Sequence, residues 1–301
     1  MKNWKSCRRL LSLLLALCMV LTMGTSSFAA SSEEENSAVA ACKESVFMVT
    51  TGVKIDNTDG VLEVMSGTAF LINDTHLVTC DHVLAFNDDI YDVMESTLGY
   101  DREKVDRQKV VQISVSRDVK RDVTVVLESS EKDLAVIRMD EPMDSRTPLK
   151  IDFNPPEIAS PCYALYIEQL IDVTDDPDTI YDAKISSGLV RRLFKSENVD
   201  YISHTAKAYS GAPLLNNDGN VIGITTLNIA AEESDEEDLY TAVNVMELVR
   251  ILDPLMIEYT STNERTSSDS PEPEPESGQE TEQEQETSEY SWIKDLSIFK
   301  H

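Results

Sequence analysis

The chain has four histidines, His76, His82, His204 and His301, so imidazole chemistry has few candidates. No His-x-x-x-His and no paired cysteine spacing occurs, so neither a metal nor a cofactor is expected. Carboxylates are too numerous for any pair to stand out as the acid and base of a glycosidase. A nucleophile with a base is the class that remains, and three stretches answer it together. Gly67-Thr68-Ala69-Phe70-Leu71-Ile72-Asn73, then His76-Leu77-Val78-Thr79-Cys80-Asp81-His82-Val83, reads as strand, tight turn and strand ending at a histidine. Glu131-Lys132-Asp133-Leu134-Ala135-Val136-Ile137 sets an aspartate at the mouth of a buried strand. Ala208-Tyr209-Ser210-Gly211-Ala212-Pro213-Leu214-Leu215 sets a serine in a small-residue turn ahead of a strand, and Ile222-Gly223-Ile224 follows the Asn217-Asp218-Gly219 hairpin.

The elements that must position these residues read as strands. Between Ser45 and Val245, short runs rich in β-branched residues alternate with turns, at 46–50, 61–73, 76–80, 110–115, 123–127, 134–139, 163–167, 185–193, 200–203, 221–227 and 239–243. About ten short strands at close spacing predict an all-β barrel or sandwich, not βαβ units. One helix closes the domain over 245–258, since Val245, Leu248, Val249, Leu252, Leu255 and Met256 keep a helical period, with Pro254 kinking it. A second helix is expected over 88–108, an insertion between strands where Tyr91, Val93, Met94 and Leu98 are loosely periodic.

The ends differ in kind. Lys2, Lys5, Arg8 and Arg9 precede a mostly apolar stretch, Leu10 to Gly24, and then Ser27-Phe28-Ala29-Ala30. This matches a secretory signal over 1–29 cleaved after Ala29; the apolar stretch is short of the roughly 20 residues that span a bilayer. A membrane association is therefore expected only if that segment stays uncleaved. The domain is preceded by an acidic linker, 30–42, and followed by an acidic Ser/Thr/Pro/Glu/Gln tail, 260–301, which is expected to be disordered. The whole chain carries −29; loss of the four basic residues of the signal makes it about −33, of which about −22 belongs to residues 36–260. Such a surface argues against nucleic-acid partners, which need Lys and Arg to displace counterions. Once the signal is removed, Cys42, Cys80 and Cys162 remain, enough for one disulfide at most.

The three stretches resemble those of trypsin-like serine proteases, particularly the bacterial HtrA/Deg type, over residues 43–258 and in the family's order of His, Asp and Ser. The resemblance implies two six-stranded antiparallel β-barrels, about 43–145 and 155–244, with a C-terminal helix and an active site in the cleft between them. It implies peptide or protein substrates, unfolded ones included, and a triad of His82, Asp133 and Ser210. His82 would take the serine proton, and Asp133 would hold the imidazole in its tautomer. The backbone N–H groups of Ala208 and Ser210 would face the developing oxyanion. His204, Thr205 and Thr226 are expected in the substrate pocket; His204, six residues before the serine, hints at an acidic residue before the scissile bond.

Three positions depart from the family pattern, the mildest being Ala212, where a second Gly is common. Ala208 stands where the family has Gly, and Tyr209 where it has Asn or Asp. A Cβ at Ala208 opposes a positive φ there. The second reading is therefore a weak or inactive protease-like domain that binds peptides or proteins through the same cleft. No PDZ module is expected after the closing helix.

Overall fold

The computed structural model describes residues 36–58, 60–116, 119–168, 182–226 and 239–262. The signal segment and nearly all of the acidic tail lie outside them. Two units are distinguished, Met1–Ser37 and Ala38–His301, and the account below concerns the second.

Among the described residues, alternating and β-branched runs build twelve strands. The first six are β1 (Val46–Lys54), β2 (Val61–Leu71), β3 (His76–Thr79), β4 (Lys109–Ser116), β5 (Val119–Ser129) and β6 (Leu134–Arg138). They close into an antiparallel barrel in the order β1-β2-β3-β6-β5-β4. The second six are β7 (Pro161–Tyr166), β8 (Lys184–Ser196), β9 (Val199–His204), β10 (Pro213–Leu215), β11 (Val221–Thr225) and β12 (Tyr240–Asn244). These close in the order β10-β11-β12-β9-β8-β7. Closure removes the unpaired edges that an open sheet would expose. The three-residue β10 is too short to show a period of two, which is why the sequence announces only a strand's beginning after Ser210.

One apolar core runs through both barrels. Phe70, Leu77 and Ile137 of the first barrel belong to the same buried cluster as Leu165, Val221 and Ile224 of the second. Each such side chain contributes roughly 1.5–3 kcal/mol when fully buried. A second cluster, including Cys162, Val190, Ile202 and Leu214, fills the second barrel.

The helices correct two expectations. The insertion holds two helices, not one: α1 (Asp88–Leu98) and α2 (Arg102–Gln108). Gly99 divides them at φ 68°, a left-handed conformation that ends α1, and Asp101 then caps α2 by accepting from the N–H of Lys104 at 2.8 Å. The closing helix, α3 (Val245–Leu252), stops short of residue 258. Pro254 has no N–H to give to the carbonyl four residues back, so the chain turns there instead of kinking and continuing. Asn244 caps the start of α3, accepting from the N–H of Met246 at 2.9 Å. The helix packs its apolar face, Val245, Leu248, Val249 and Leu252, into the shared core.

Candidate active site

The histidine is presented by a single helical turn, Asp81–Leu84, that follows β3 directly. The backbone N–H of His82 donates to Asp133 Oδ1 at 3.0 Å, so the main chain as well as the ring is tied to that carboxylate. Its Nδ1 lies 2.9 Å from Oδ1 and 2.8 Å from Oδ2 of Asp133, and its Nε2 lies 2.7 Å from Ser210 Oγ. A proton on Nδ1 suits two carboxylate acceptors, which leaves Nε2 as the acceptor facing the serine hydroxyl.

Asp133 ends the turn between β5 and β6 at φ 49°, a left-handed conformation that an aspartate tolerates better than most residues. Its N–H donates to Ser130 O at 3.3 Å. Burial by itself would raise the carboxyl's pKa, but the hydrogen bond from His82, its charge and the hydroxyl of Thr226 together hold it below the ordinary carboxylate value.

Ser210 comes from the second barrel, in the loop between β9 and β10. The carbonyl of Ser210 accepts from the N–H of Thr68 in β2 at 2.9 Å, which fastens the serine loop to the first barrel. Gly211 follows at φ 81° and donates its N–H to Thr225 O at 2.8 Å. A Cβ on Gly211 would stand 2.0 Å from the carbonyl oxygen of Thr68, so only glycine fits between the serine and β2. Ala208 is not among the described residues with positive φ, and neither its N–H nor that of Ser210 donates to a backbone carbonyl.

The structure thus brings His82, Asp133 and Ser210 into one hydrogen-bonded row, and the three residues expected in the pocket have the following partners. Thr226 donates its hydroxyl to Asp133 Oδ2. Thr205 accepts from the N–H of Leu189 at 3.0 Å at the β8–β9 edge. His204 is fully buried at the end of β9, its ring stacked on Tyr240 at 6.0 Å between centroids. Burial pushes its pKa down to about 4, against a smaller upward pull from the Ala206 backbone.

Two features were not legible in the sequence. The ring of Tyr209 packs on Tyr166 at 5.1 Å, with Lys207 Nζ 5.6 Å from the Tyr209 ring centroid, so the unusual residue before the serine has an aromatic seat. Glu247 of α3 is completely buried and bonded to Lys132, the residue before Asp133. Both depend on contacts across more than 40 residues, for which local pattern carries no signal.

Among the described residues one group could offer three metal ligands: Cys80 Sγ, His82 and Asp133, with ligand atoms within 4.8 Å of one another. The imidazole and carboxylate already face each other, and the thiol donates to Thr225 O at 3.1 Å. Burial holds the Cys80 pKa well above its ordinary value, and a protonated thiol is a poor ligand. Cys42, Cys80 and Cys162 are all free thiols.

Comparison with known proteins agrees with this architecture. The family model of the trypsin-like peptidase domain matches residues 67–224, just over half of the chain. No curated protein matches it significantly. Among solved structures, the Rv3671c protease from M. tuberculosis in its active form is similar, with a TM-score of 0.54 and 17% identity. That match covers 77% of this chain and 88% of the other.

Proposed function

The chain belongs to the family of the trypsin-like peptidase domain, and from that premise we propose that it is a secreted serine endopeptidase. Membership makes it a peptidase, acting on peptide or protein substrates. The observation that supports the serine type is the unbroken row from Asp133 through His82 to Ser210, with contacts of 2.8 and 2.7 Å. Ser210 Oγ attacks the scissile carbonyl as His82 Nε2 takes its proton. Asp133 keeps the ring in the reactive tautomer and stabilises the imidazolium. The same imidazolium then protonates the leaving amine, and water hydrolyses the acyl-enzyme by the reverse path. The N–H groups of Ala208 and Ser210 are the donors for the oxyanion, and losing one such donor costs about 100- to 1,000-fold in rate.

The basic, apolar and small-residue succession at the N-terminus supports export, with the mature chain beginning at Ala30. The test of the catalytic reading is a fluorophosphonate probe. Wild-type protein is expected to label at one site, and Ser210→Ala is expected to remain unlabelled. Absence of labelling in wild type would favour the peptide-binding reading, to which Ala208 and Tyr209 lend support. Labelling that survives in Ser210→Ala would place the nucleophile elsewhere.

A further inference from the structure

Glu247 is a carboxylate without solvent exposure, on a helix whose other core-facing residues are apolar. A buried ionised group is costly unless its oxygens are occupied, and here both are. Oε2 accepts from Lys132 Nζ at 2.7 Å, while Oε1 accepts from Arg250 Nη1 and from the N–H of Asp200 at 3.2 Å. Arg250 also reaches Asp200 Oδ2 at 3.3 Å, so α3 and the start of β9 share one charged knot.

Lys132 is the odd member. It belongs to the first barrel, while Glu247, Arg250 and Asp200 belong to the second barrel and its helix. It immediately precedes Asp133, the residue held at φ 49°. Within its own backbone the four-residue turn from Ser130 to Asp133 is closed by a long hydrogen bond of 3.3 Å, and the bonds from His82 and Thr226 hold the Asp133 carboxylate rather than the preceding residues. The ammonium of Lys132 is largely buried, with 16% of its side chain exposed, so its pair with Glu247 is far less screened than a surface pair.

We propose that Glu247, acting through Lys132, is a positioning residue for Asp133. Anchored in α3, the carboxylate holds the end of the β5–β6 turn so that Asp133 meets both nitrogens that His82 presents to it. Two clamps from the second half of the molecule then converge on this aspartate, Thr226 on its carboxylate and Glu247 on its neighbour. The other titratable groups near Asp133 are His82 after β3, Cys80 at the end of β3 and Tyr201 of β9. None of them restrains the turn's backbone from the side of α3. This inference rests on the serine-peptidase reading given above.

The test is Lys132→Met, which removes the cation from Glu247 Oε2 but leaves Oε1 with Arg250 and the Asp200 N–H, so the buried charge keeps a cationic partner. Activity is expressed per active site titrated with the fluorophosphonate probe, which separates misfolded protein from slowed protein. We expect kcat to fall about 10-fold with KM nearly unchanged, because a misplaced orienting group slows chemistry without weakening substrate binding. Lys132→Arg, which keeps a cation in reach of Glu247, is expected to restore most of that loss. A wild type that labels normally, with Lys132→Met equal to it in kcat per site, overturns this inference alone. So does a Lys132→Arg variant as slow as Lys132→Met. A wild type that does not label overturns the serine-peptidase reading and this inference together.

Discussion

Thr226 gives its hydroxyl to the carboxylate of Asp133, so a residue that follows the second barrel's β11 completes the surroundings of an acid from the first. The contact matters because burial of Asp133 penalises its charge, while its donors, His82 first and then Thr226, hold its pKa below the ordinary carboxylate value. With 7% exposure, Thr226 has little water to substitute for the lost bond if it is replaced.

Thr226→Val keeps the side chain's shape and removes only the donor. A hydrogen bond to a charged group contributes roughly 1.5–3 kcal/mol, and part of that is felt as the imidazolium forms. We expect kcat to fall about 10-fold, with KM little changed, in steady-state hydrolysis of a peptide ester. An unchanged kcat would mean that His82 alone suffices to hold Asp133.

Ala208 sits at a non-positive φ, free of the strain that a Cβ would meet in the left-handed region, with its N–H given to no backbone carbonyl. Glycine at this position opens conformations closed to alanine and lets the 207–208 peptide adjust to a developing oxyanion. Ala208→Gly is expected to raise kcat by about 3- to 10-fold, a fraction of what a full oxyanion donor contributes. A variant with wild-type or lower kcat would show that the alanine backbone already serves the reaction.

The all-β character was legible because its signals are local, β-branched runs and turn residues; the division into two barrels followed only from the resemblance carried by the three motifs. His82, Asp133 and Ser210 each lie in a local motif, after β3, before β6 and before β10, and their hydrogen bonds show that these three places meet. That the Thr226 hydroxyl turns to Asp133 depends on how two barrels meet, which no local pattern announces. Gly99 carried a local signal that the helical periodicity around it masked, and Pro254 carried one that fits an end of the helix as well as a kink. The seat of Tyr209 on Tyr166 and the burial of Glu247 are purely tertiary, and no spacing in the sequence announces them.

The acidic surface makes a kinetic prediction. With the chain at −29, and about −22 of the mature charge within residues 36–260, cationic peptides are drawn to the protein and acidic ones repelled. Raising the ionic strength shortens the screening length from about 30 Å at 0.01 M to about 10 Å at 0.1 M. For matched substrates, kcat/KM on a Lys/Arg-flanked peptide is expected to fall over that range, while that on a Glu-flanked peptide rises. Parallel salt responses would remove steering as a factor.

His204 supplies a stability prediction with a definite sign. Its pKa in the folded protein is driven down to about 4 by burial, whereas in the unfolded chain it is near the ordinary 6.5. Between those two values the unfolded state binds a proton that the folded state refuses, so acidification favours unfolding. The stabilising contribution is complete above about pH 6.5 and drains away as pH falls toward 4. Because the ring is fully buried, solvent screening does not dilute the effect. His204→Phe retains an aromatic ring against Tyr240 and cannot titrate. Urea unfolding at pH 7 and pH 4.5 is expected to show a loss about 2 kcal/mol smaller in the variant than in wild type. Equal losses in the two proteins would mean that the imidazole takes up its proton in the folded state as readily as in the unfolded one.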